Sequence, residues 1–133
     1  MKRPASQSFA DCPCGSARSY SECCQPWHHG KSAPNAEALM RSRYTAYVLK
    51  LDDYLLQTWH PETRPAALDI AQEVSIKWLG LAIKRFEASG DKAIVEFEAR
   101  YKANGKAERL HEVSRFTRID AMWYYLDGDF TEC

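Results

Sequence analysis

The sequence has no excess of either charge and no long apolar run. Lysine and arginine together number 18, and aspartate and glutamate also number 18, in a chain of 133 residues. Such a balance argues against general binding to nucleic acids or to anionic membrane surfaces. No apolar run approaches the roughly 18 residues of a membrane-spanning helix, so we expect no membrane span.

Motifs of several common enzyme classes are also missing. The chain has no phosphate-binding loop, no dinucleotide fingerprint and no Ser–His–Asp order, and His111–Arg115 does not complete an H-E-x-x-H motif. Residues 1–6 carry positive charge but no apolar run follows them, which is not typical of a secretory signal. We therefore expect a cytoplasmic protein.

Cysteine, in contrast, is concentrated near the start of the chain. Four of the five cysteines lie within residues 12–24, as Cys12, Cys14 and the adjacent pair Cys23 and Cys24. In the reducing cytosol, clustered cysteines are more often metal ligands than disulfides, and adjacent cysteines could pair only in a strained ring. Soft thiolates in a closed four-coordinate site select zinc, and such a site is structural rather than catalytic. Reduced free thiols and disulfides are the alternatives.

Three further side chains bear on the ligand set. His28 and His29 follow the cluster, and either could replace a cysteine; we favour four thiolates, with both histidines in a solvated linker. Cys133 is expected to be a free terminal thiol. Because so small a loop has almost no apolar core of its own, metal binding and local folding should be coupled.

The run Cys-Pro-Cys-Gly-Ser followed by Tyr20 and the adjacent cysteine pair resembles the SEC-C zinc motif, found at the C-terminus of the translocase motor SecA. The resemblance implies zinc at the four clustered cysteines. One departure is Ala17, where many SEC-C motifs carry a second glycine, and it leaves the ligands intact. In SecA the motif also contacts partner proteins, which implies a protein partner for residues 12–28.

Two segments further along resemble the YchJ family of small bacterial proteins. They are Leu-Met-Arg-Ser-Arg-Tyr-Thr-Ala-Tyr at residues 39–47 and Thr-Trp-His-Pro at residues 58–61. The resemblance covers the chain from about Cys12 to Phe130. The predicted organisation is a flexible tail at 1–11, a zinc-binding segment at 12–28 and an α+β domain at 35–133.

The α+β domain is predicted to begin with helices. Asn35 is a plausible N-cap for a helix over Ala36–Leu49, and one face of that helix carries the apolar positions Leu39, Met40, Tyr44, Tyr47, Val48 and Leu51. Asp52 and Asp53 can cap a short helix through Tyr54–Thr58, which Pro61 ends. Another short helix is predicted over Pro65–Glu73, with Leu68 and Ile70 inward.

After residue 73 the apolar period changes to two, which predicts strands. Residues 74, 76 and 78 alternate, and 79, 81 and 83 alternate in the opposite phase, so Gly80 marks a bulge or a break. Residues 93–101 then form one clean apolar face. Asn104-Gly105 is a strong hairpin signal, and Asp120-Ala121 turns the chain into a last strand ending near Phe130.

Helices followed by an antiparallel meander predict an α+β fold in which the long helix covers one face of a curved sheet. This arrangement resembles the cystatin-like, ketosteroid-isomerase-like cone, also called the nuclear-transport-factor-like fold, and the YchJ resemblance points the same way. A two-residue loop at Asn104-Gly105 would pair Phe97 with Glu112 and Val95 with Ser114. Paired residues share a face, so Glu112 is predicted to point toward the helix. On the other face, Glu98 is predicted to meet His111.

Two roles are open for Glu112. It could accept hydrogen bonds or pair with Arg41 or Arg43 and join helix to sheet, which we favour, or it could serve as a general acid or base. His60 is a second candidate for proton transfer, at the mouth of the cone. The predicted pocket residues are Tyr44, Trp59, His60, Tyr101, Glu112 and Ser114.

Two functions follow from these patterns. We favour a binding or adaptor module, with a structural zinc site that contacts a protein partner and a cone that could hold a small ligand. The alternative is a small cofactor-independent enzyme of the isomerase or dehydratase kind, with Glu112 or His60 moving a proton. That alternative rests on analogy with other proteins of the fold.

Overall fold

A computed structural model describes residues 11–68 and 76–130 of the chain. The helical elements are a 3₁₀ turn at Tyr20–Glu22, α1 (Gln25–His28), α2 (Ala36–Leu49) and α3 (Asp52–Gln57). The strands are β1 (Ile76–Ser89), β2 (Lys92–Ala103), β3 (Lys106–Ile119) and β4 (Met122–Phe130). Within the described ranges, none of the helices has both the length and the hydropathy needed to cross a bilayer.

Helix α2 begins and ends at the predicted residues. The Asn35 side chain accepts a hydrogen bond from the backbone N–H of Ala38 at 2.8 Å, which satisfies one of the free donors of the first turn. The predicted apolar face packs on the sheet. Burial extends beyond that face, because Ser42, Thr45 and Ala46 are also fully buried. The helix is therefore covered on two sides, whereas the sequence predicted one.

The four strands form an antiparallel meander in the order β1-β2-β3-β4. Asn104 and Gly105 both have positive φ in a two-residue hairpin loop, and the register pairs Phe97 with Glu112 and Val95 with Ser114. These pairings confirm the prediction. A register shift beside Gly80 confirms the predicted bulge, within one continuous strand.

The core lies between α2 and the inner face of the sheet. Its sheet side is formed by Ala93, Val95, Phe97, Ala99, Phe116 and Trp123, and its helix side by Leu39, Met40 and Tyr44. Burying these side chains is the main favourable term in folding, at roughly 25 cal/mol per Å² of apolar surface. The predicted fold class is confirmed: helices cover one face of an antiparallel sheet.

One predicted helix is wrong in its described part. Residues 65–68 are not helical. The chain instead turns at His60, whose carbonyl accepts the backbone N–H groups of Thr63 and Arg64 at 3.0 and 2.9 Å. A helix this short is marginal without a packed face. The remainder of that prediction, with Ile70, the residue 1–10 tail and Cys133, lies outside the described residues.

Strand β4 contains a bulge that the sequence analysis did not predict. Phe116 pairs with Tyr125 but Arg115 pairs with Asp127, so Leu126 is the extra residue. The bulge puts Tyr125 and Gly128 on the same inner face, although they are three residues apart. Backbone hydrogen bonds from His60 N–H to the Tyr125 carbonyl (2.7 Å) and from Tyr125 N–H to the Thr58 carbonyl (2.8 Å) then cover the edge of β4.

Gly128 is required by its neighbour across the strand. A Cβ at this position would overlap the side chain of Glu112, which is buried and held by hydrogen bonds from Ser114 and Tyr125. We predict that Gly128→Ala lowers the free energy of unfolding by about 1–3 kcal/mol, the usual cost of overpacking, as measured by urea denaturation.

Gly80→Ala is the matched control for this substitution. A Cβ at Gly80 would meet the far end of the Arg100 side chain, which is flexible, so stability should change by less than about 0.5 kcal/mol. Equal stability losses in the two variants would contradict the explanation.

Candidate metal centre and ligand cavity

Cys12, Cys14, Cys23 and Cys24 converge on one point although they come from three different local structures. The first two lie in the loop before the 3₁₀ turn, Cys23 ends that turn, and Cys24 precedes α1. All four side chains are buried, and their sulfur atoms lie within 4.8 Å of one another. These four thiols are close enough to hold one metal ion.

The sulfur spacing can be compared with a tetrahedral thiolate site. Four sulfurs about 2.3 Å from a zinc ion lie roughly 3.8 Å apart. Cys14 Sγ is 3.6 Å from Cys23 Sγ, and Cys23 Sγ is 3.9 Å from Cys24 Sγ. These separations suit a shared tetrahedral ion and are far longer than the roughly 2.05 Å of a disulfide bond.

Polar groups of α2 and of the loop surround the sulfurs. The Thr45 hydroxyl donates to Cys24 Sγ at 3.5 Å and lies 3.6 Å from Cys12 Sγ. The Ser16 hydroxyl lies 3.2 Å from Cys23 Sγ. Arg41 Nη1 donates to the Cys14 carbonyl at 2.9 Å and lies 3.9 Å from Cys14 Sγ. Donors and a cation around the sulfurs favour thiolates, which are the metal-binding form.

The pKa values of the Cys14, Cys23 and Cys24 thiols are shifted in different directions. Hydrogen bonds from Cys12 and Cys24 hold the pKa of Cys14 far below its ordinary value. Hydrogen bonding with Cys12 and Cys14 raises the pKa of Cys24, and burial raises that of Cys23. One thiolate is thus stabilised by its neighbours, and a cation among the sulfurs would favour ionisation of the other thiols.

The loop that carries the first two cysteines is closed by its own backbone. Cys12 N–H donates to the Arg18 carbonyl at 2.8 Å, and Gly15 N–H donates to the Cys12 carbonyl at 3.2 Å. Gly15 has φ +83° and packs closely against the Leu81 carbonyl of β1. Ala17 has φ +70°, a conformation that favours glycine.

His28 joins the cysteine segment (residues 12–28) to α2. Its Nε2–H donates to the Ser42 carbonyl at 2.8 Å, so Nδ1 accepts the Tyr20 hydroxyl at 2.7 Å. Burial lowers the pKa of His28, in keeping with a neutral ring. The expectation of a solvated linker is met by His29, which is exposed, but His28 is half-buried and bonded through both nitrogens.

A separate cavity of about 460 Å³ lies between α2 and the inner face of the sheet. Its volume is within the range of small-molecule sites. Phe130 is among its lining residues and is 67% exposed, which places the opening at the end of β4. The complete lining is Met40, Arg43, Tyr44, Tyr47, Trp59, Trp78, Phe97, Ala99, Leu110, Glu112, Ser114, Tyr125 and Phe130.

Glu112 provides the carboxylate of this cavity. It is 6% exposed, and its Oε2 accepts hydrogen bonds from Ser114 Oγ at 2.8 Å and Tyr125 OH at 2.9 Å. Burial and the adjacent carboxylate raise the pKa of Tyr125, so its hydroxyl stays protonated and donates. Glu112 therefore accepts hydrogen bonds from β3 and β4, whereas the sequence analysis expected it to join the helix to the sheet. Across the described residues it forms no ion pair with Arg41 or Arg43.

Arg43 is the second charged residue in the lining, and it was not among the predicted pocket residues. It is 3% exposed and donates through Nη1 to the Leu55 carbonyl (2.9 Å) and Thr58 Oγ1 (2.7 Å). Its guanidinium lies over the rings of Trp59 and Tyr125, at 5.1 and 4.6 Å from their centroids. Burial without a directly paired carboxylate lowers its pKa.

The other predicted pocket residues lie in different places. Tyr44, Trp59 and Ser114 line the cavity, whereas His60 and Tyr101 are not among its lining residues. His60 Nδ1 accepts the backbone N–H of Glu62 at 3.0 Å, so its ring serves a local turn. Arg43 and Tyr47 are absent from the predicted pocket, although the sequence analysis places Tyr47 on the inner helical face and names Arg43 as a possible partner of Glu112. The four-residue spacing from Arg43 to Tyr47 was the available signal that both lie on one face.

The outer face of the sheet differs from the prediction in one contact. Glu98 is directly opposite His111 in the register, but His111 Nε2 bonds Glu96 Oε2 at 2.7 Å. Glu98 instead lies 3.9 Å from Lys84 Nζ. Diagonal neighbours are within reach of long side chains, and Glu96 also bonds Arg85.

Two family models match this chain. The model described as "YchJ, middle NTF2-like domain" matches residues 35–128, and the SEC-C motif matches residues 10–26. A UPF0225 protein of Bordetella parapertussis is 54% identical over 133 residues, covering 97% of this chain and 98% of the relative. A UPF0225 protein of Chromobacterium violaceum is 51% identical over 128 residues, covering 92% and 94%.

Two solved structures share the fold. The solution structure of a SEC-C motif containing protein from Rhodopseudomonas palustris has a TM-score of 0.82 and 36% identity, covering 92% of this chain and 99% of that one. The crystal structure of a SEC-C motif containing protein from Psychrobacter arcticus has a TM-score of 0.76 and 30% identity, covering 95% and 86%.

The backbone at Ala17 gives a stability prediction. Because a Cβ is disfavoured at positive φ, Ala17→Gly should raise the free energy of unfolding by about 0.5–1 kcal/mol, measured by urea denaturation. Ala103→Gly is the control: Ala103 lies in extended backbone at the end of β2, where glycine should lower stability. A loss of stability in both variants would show that Ala17 is not strained.

Proposed function

This chain belongs to the YchJ family, and from that premise we propose that it is a binding module: a structural zinc ion holds the cysteine segment, and the cavity of the NTF2-like domain holds a small organic ligand. The observation that carries the proposal is the open cavity with a buried carboxylate, a feature that a filled core does not have. The zinc ion would support the domain and take no part in chemistry.

The zinc assignment is supported by the ligand type and by the surroundings of the sulfurs. A set of four buried cysteines with this spacing leaves no open coordination position, so the ion would be structural. Thr45 and Arg41 of α2 contact the sulfurs. The ion would thereby link the cysteine segment to α2, and folding of the segment would depend on it.

The cavity supports ligand binding because its polar groups converge on one place. Glu112, Ser114 and Tyr125 form one hydrogen-bonded group, surrounded by apolar and aromatic walls. A few placed polar groups in an apolar cleft are typical of small-molecule sites. Buried carboxylates are costly, and retaining one here is readily explained if it contacts a ligand.

Proton transfer by Glu112 is a second candidate function, favoured by its place in the cavity. An isomerase or dehydratase of this kind commonly uses both an acid and a base. His60, the predicted second group, is held in the turn with Glu62. We therefore rank the binding module first.

The cysteine segment is also our candidate for contact with a protein partner, in the cytosol, where its thiols would stay reduced. A groove of about 360 Å³ beside Cys23 and Cys24 includes Arg18, Trp27 and Arg41 in its lining. Tryptophan and arginine are enriched at protein interfaces.

Metal analysis tests the zinc proposal. Protein purified under reducing conditions should contain about one zinc per chain, and Cys14→Ser should lose it because three thiolates leave the site open. Cys133→Ser is the control, since Cys133 is far from the cluster in sequence, and it should keep its zinc. Metal-free wild-type protein with an ordered cysteine segment would refute the proposal.

A substitution that fills part of the cavity tests the proposal that the cavity binds a ligand. We use 2-naphthalenemethanol as the probe and follow the amide resonances of the cavity residues by NMR. Binding to the wild type should be weakened about tenfold or more by Ala99→Leu, which places extra side chain in the cavity, equivalent to about 1.4 kcal/mol.

Ala103→Leu, on the same strand but not in the cavity lining, should bind the probe as the wild type does. If the wild type shows no shift of cavity resonances, or both variants behave alike, the cavity is not the binding site.

A further inference from the structure

We infer that the ligand of the cavity is a neutral, flat aromatic molecule with a hydroxyl or N–H group at one end. This inference rests on the proposed function, since it assigns a chemical class to the ligand of the same cavity. Three features carry it: the aromatic walls, the balance of charge inside, and a carboxylate oxygen that receives no hydrogen bond within the described residues.

The walls include aromatic rings that meet edge to face or at a tilt. Trp78 packs against Tyr44 at a centroid distance of 5.8 Å and an angle of 77°, and against Tyr47 at 5.9 Å and 53°. On the other side, Trp59 meets Tyr125 at 5.2 Å and 82°. Edge-to-face and tilted contacts are the arrangements that aromatic rings prefer, so a flat aromatic ring suits a cavity with these walls.

The charge inside the cavity is already balanced. Glu112 and Arg43 are the two charged residues in the lining, one of each sign, and both are more than nine-tenths buried. An anionic ligand would face the Glu112 carboxylate, and a cationic ligand would face the Arg43 guanidinium. Either would leave an unbalanced charge in an apolar site, which is expensive.

One carboxylate oxygen at the cavity is available to a ligand. Glu112 Oε2 receives the hydrogen bonds from Ser114 and Tyr125, and within the described ranges Oε1 receives none. A ligand hydroxyl or N–H group can donate to such an oxygen. The polar end of the ligand is therefore a hydrogen-bond donor.

Four isosteric probes test the inference on the full, zinc-loaded chain. They share a naphthalene ring and differ in one group: 2-naphthalenemethanol is a neutral donor, 2-naphthoate an anion, 2-naphthylmethylammonium a cation, and 2-methylnaphthalene carries no polar group. Dissociation constants are measured by NMR titration of the cavity resonances. The alcohol should bind about tenfold or more tightly than each of the other three, a difference of about 1.4 kcal/mol.

Glu112→Gln removes the negative charge while keeping the size of the side chain, and Arg43 remains. The preference should then shift, with 2-naphthoate gaining about tenfold relative to the wild type, again about 1.4 kcal/mol. Glu98→Gln is the control, because Glu98 is a carboxylate of the same sheet on the outer face, next to Lys84. It should leave the order of the four probes unchanged.

The outcomes separate the two proposals. If the anion or the cation binds best to the wild type, the ligand class is wrong and the binding function stands. If 2-methylnaphthalene binds as well as the alcohol, the polar end plays no part and the ligand class is again wrong. If none of the four shifts a cavity resonance, both the ligand class and the binding function are overturned. The wild-type titrations decide these points even if Glu112→Gln does not fold.

Discussion

Helix α2 is buried from two sides, and each side serves a different site. One side carries Arg41 and Thr45, which contact the sulfurs of Cys14 and Cys24. The other carries Arg43 and Tyr44, which line the cavity. A helix with polar groups on one side would normally turn that side to water. Here the cysteine segment covers it, so the segment completes the domain.

This arrangement links the two sites physically. His28 bonds the Ser42 carbonyl, and the Ser42 hydroxyl contacts the hydroxyl of Tyr54 on α3 at 2.7 Å. Arg43, one residue further along, bonds the Leu55 carbonyl of α3. The cysteine segment therefore helps to fix α2 and α3 relative to each other, and with them one wall of the cavity. A binding module gains affinity when its site is held in advance of the ligand.

Sequence reasoning succeeded where a local rule determines geometry. The inward position of Glu112 followed from the two-residue loop at Asn104-Gly105, because loop length fixes the register of both strands. Sequence reasoning failed where contacts between distant segments determine the geometry. The bulge at Leu126 ends the continuous apolar run Met122–Leu126, which shows no alternation from which a change of face could be read. The only local signal is Gly128, since glycine inside a strand often marks a bulge. The burial of Arg43 depends on Trp59 and Tyr125, which are distant in sequence. The periodicity of the helix that carries Arg43 contains no information about them.

The surroundings of Glu112 argue that the carboxylate is a built feature. Ser114 and Tyr125 donate to it from β3 and β4, and Gly128 leaves the space that it occupies. Tyr125 and Gly128 reach the same face only because of the bulge between them. An apolar residue at position 112 would remove the desolvation cost and need none of these adjustments. Three residues and a bulge thus accommodate one costly side chain, which is the pattern expected when the carboxylate meets a ligand rather than fills a core.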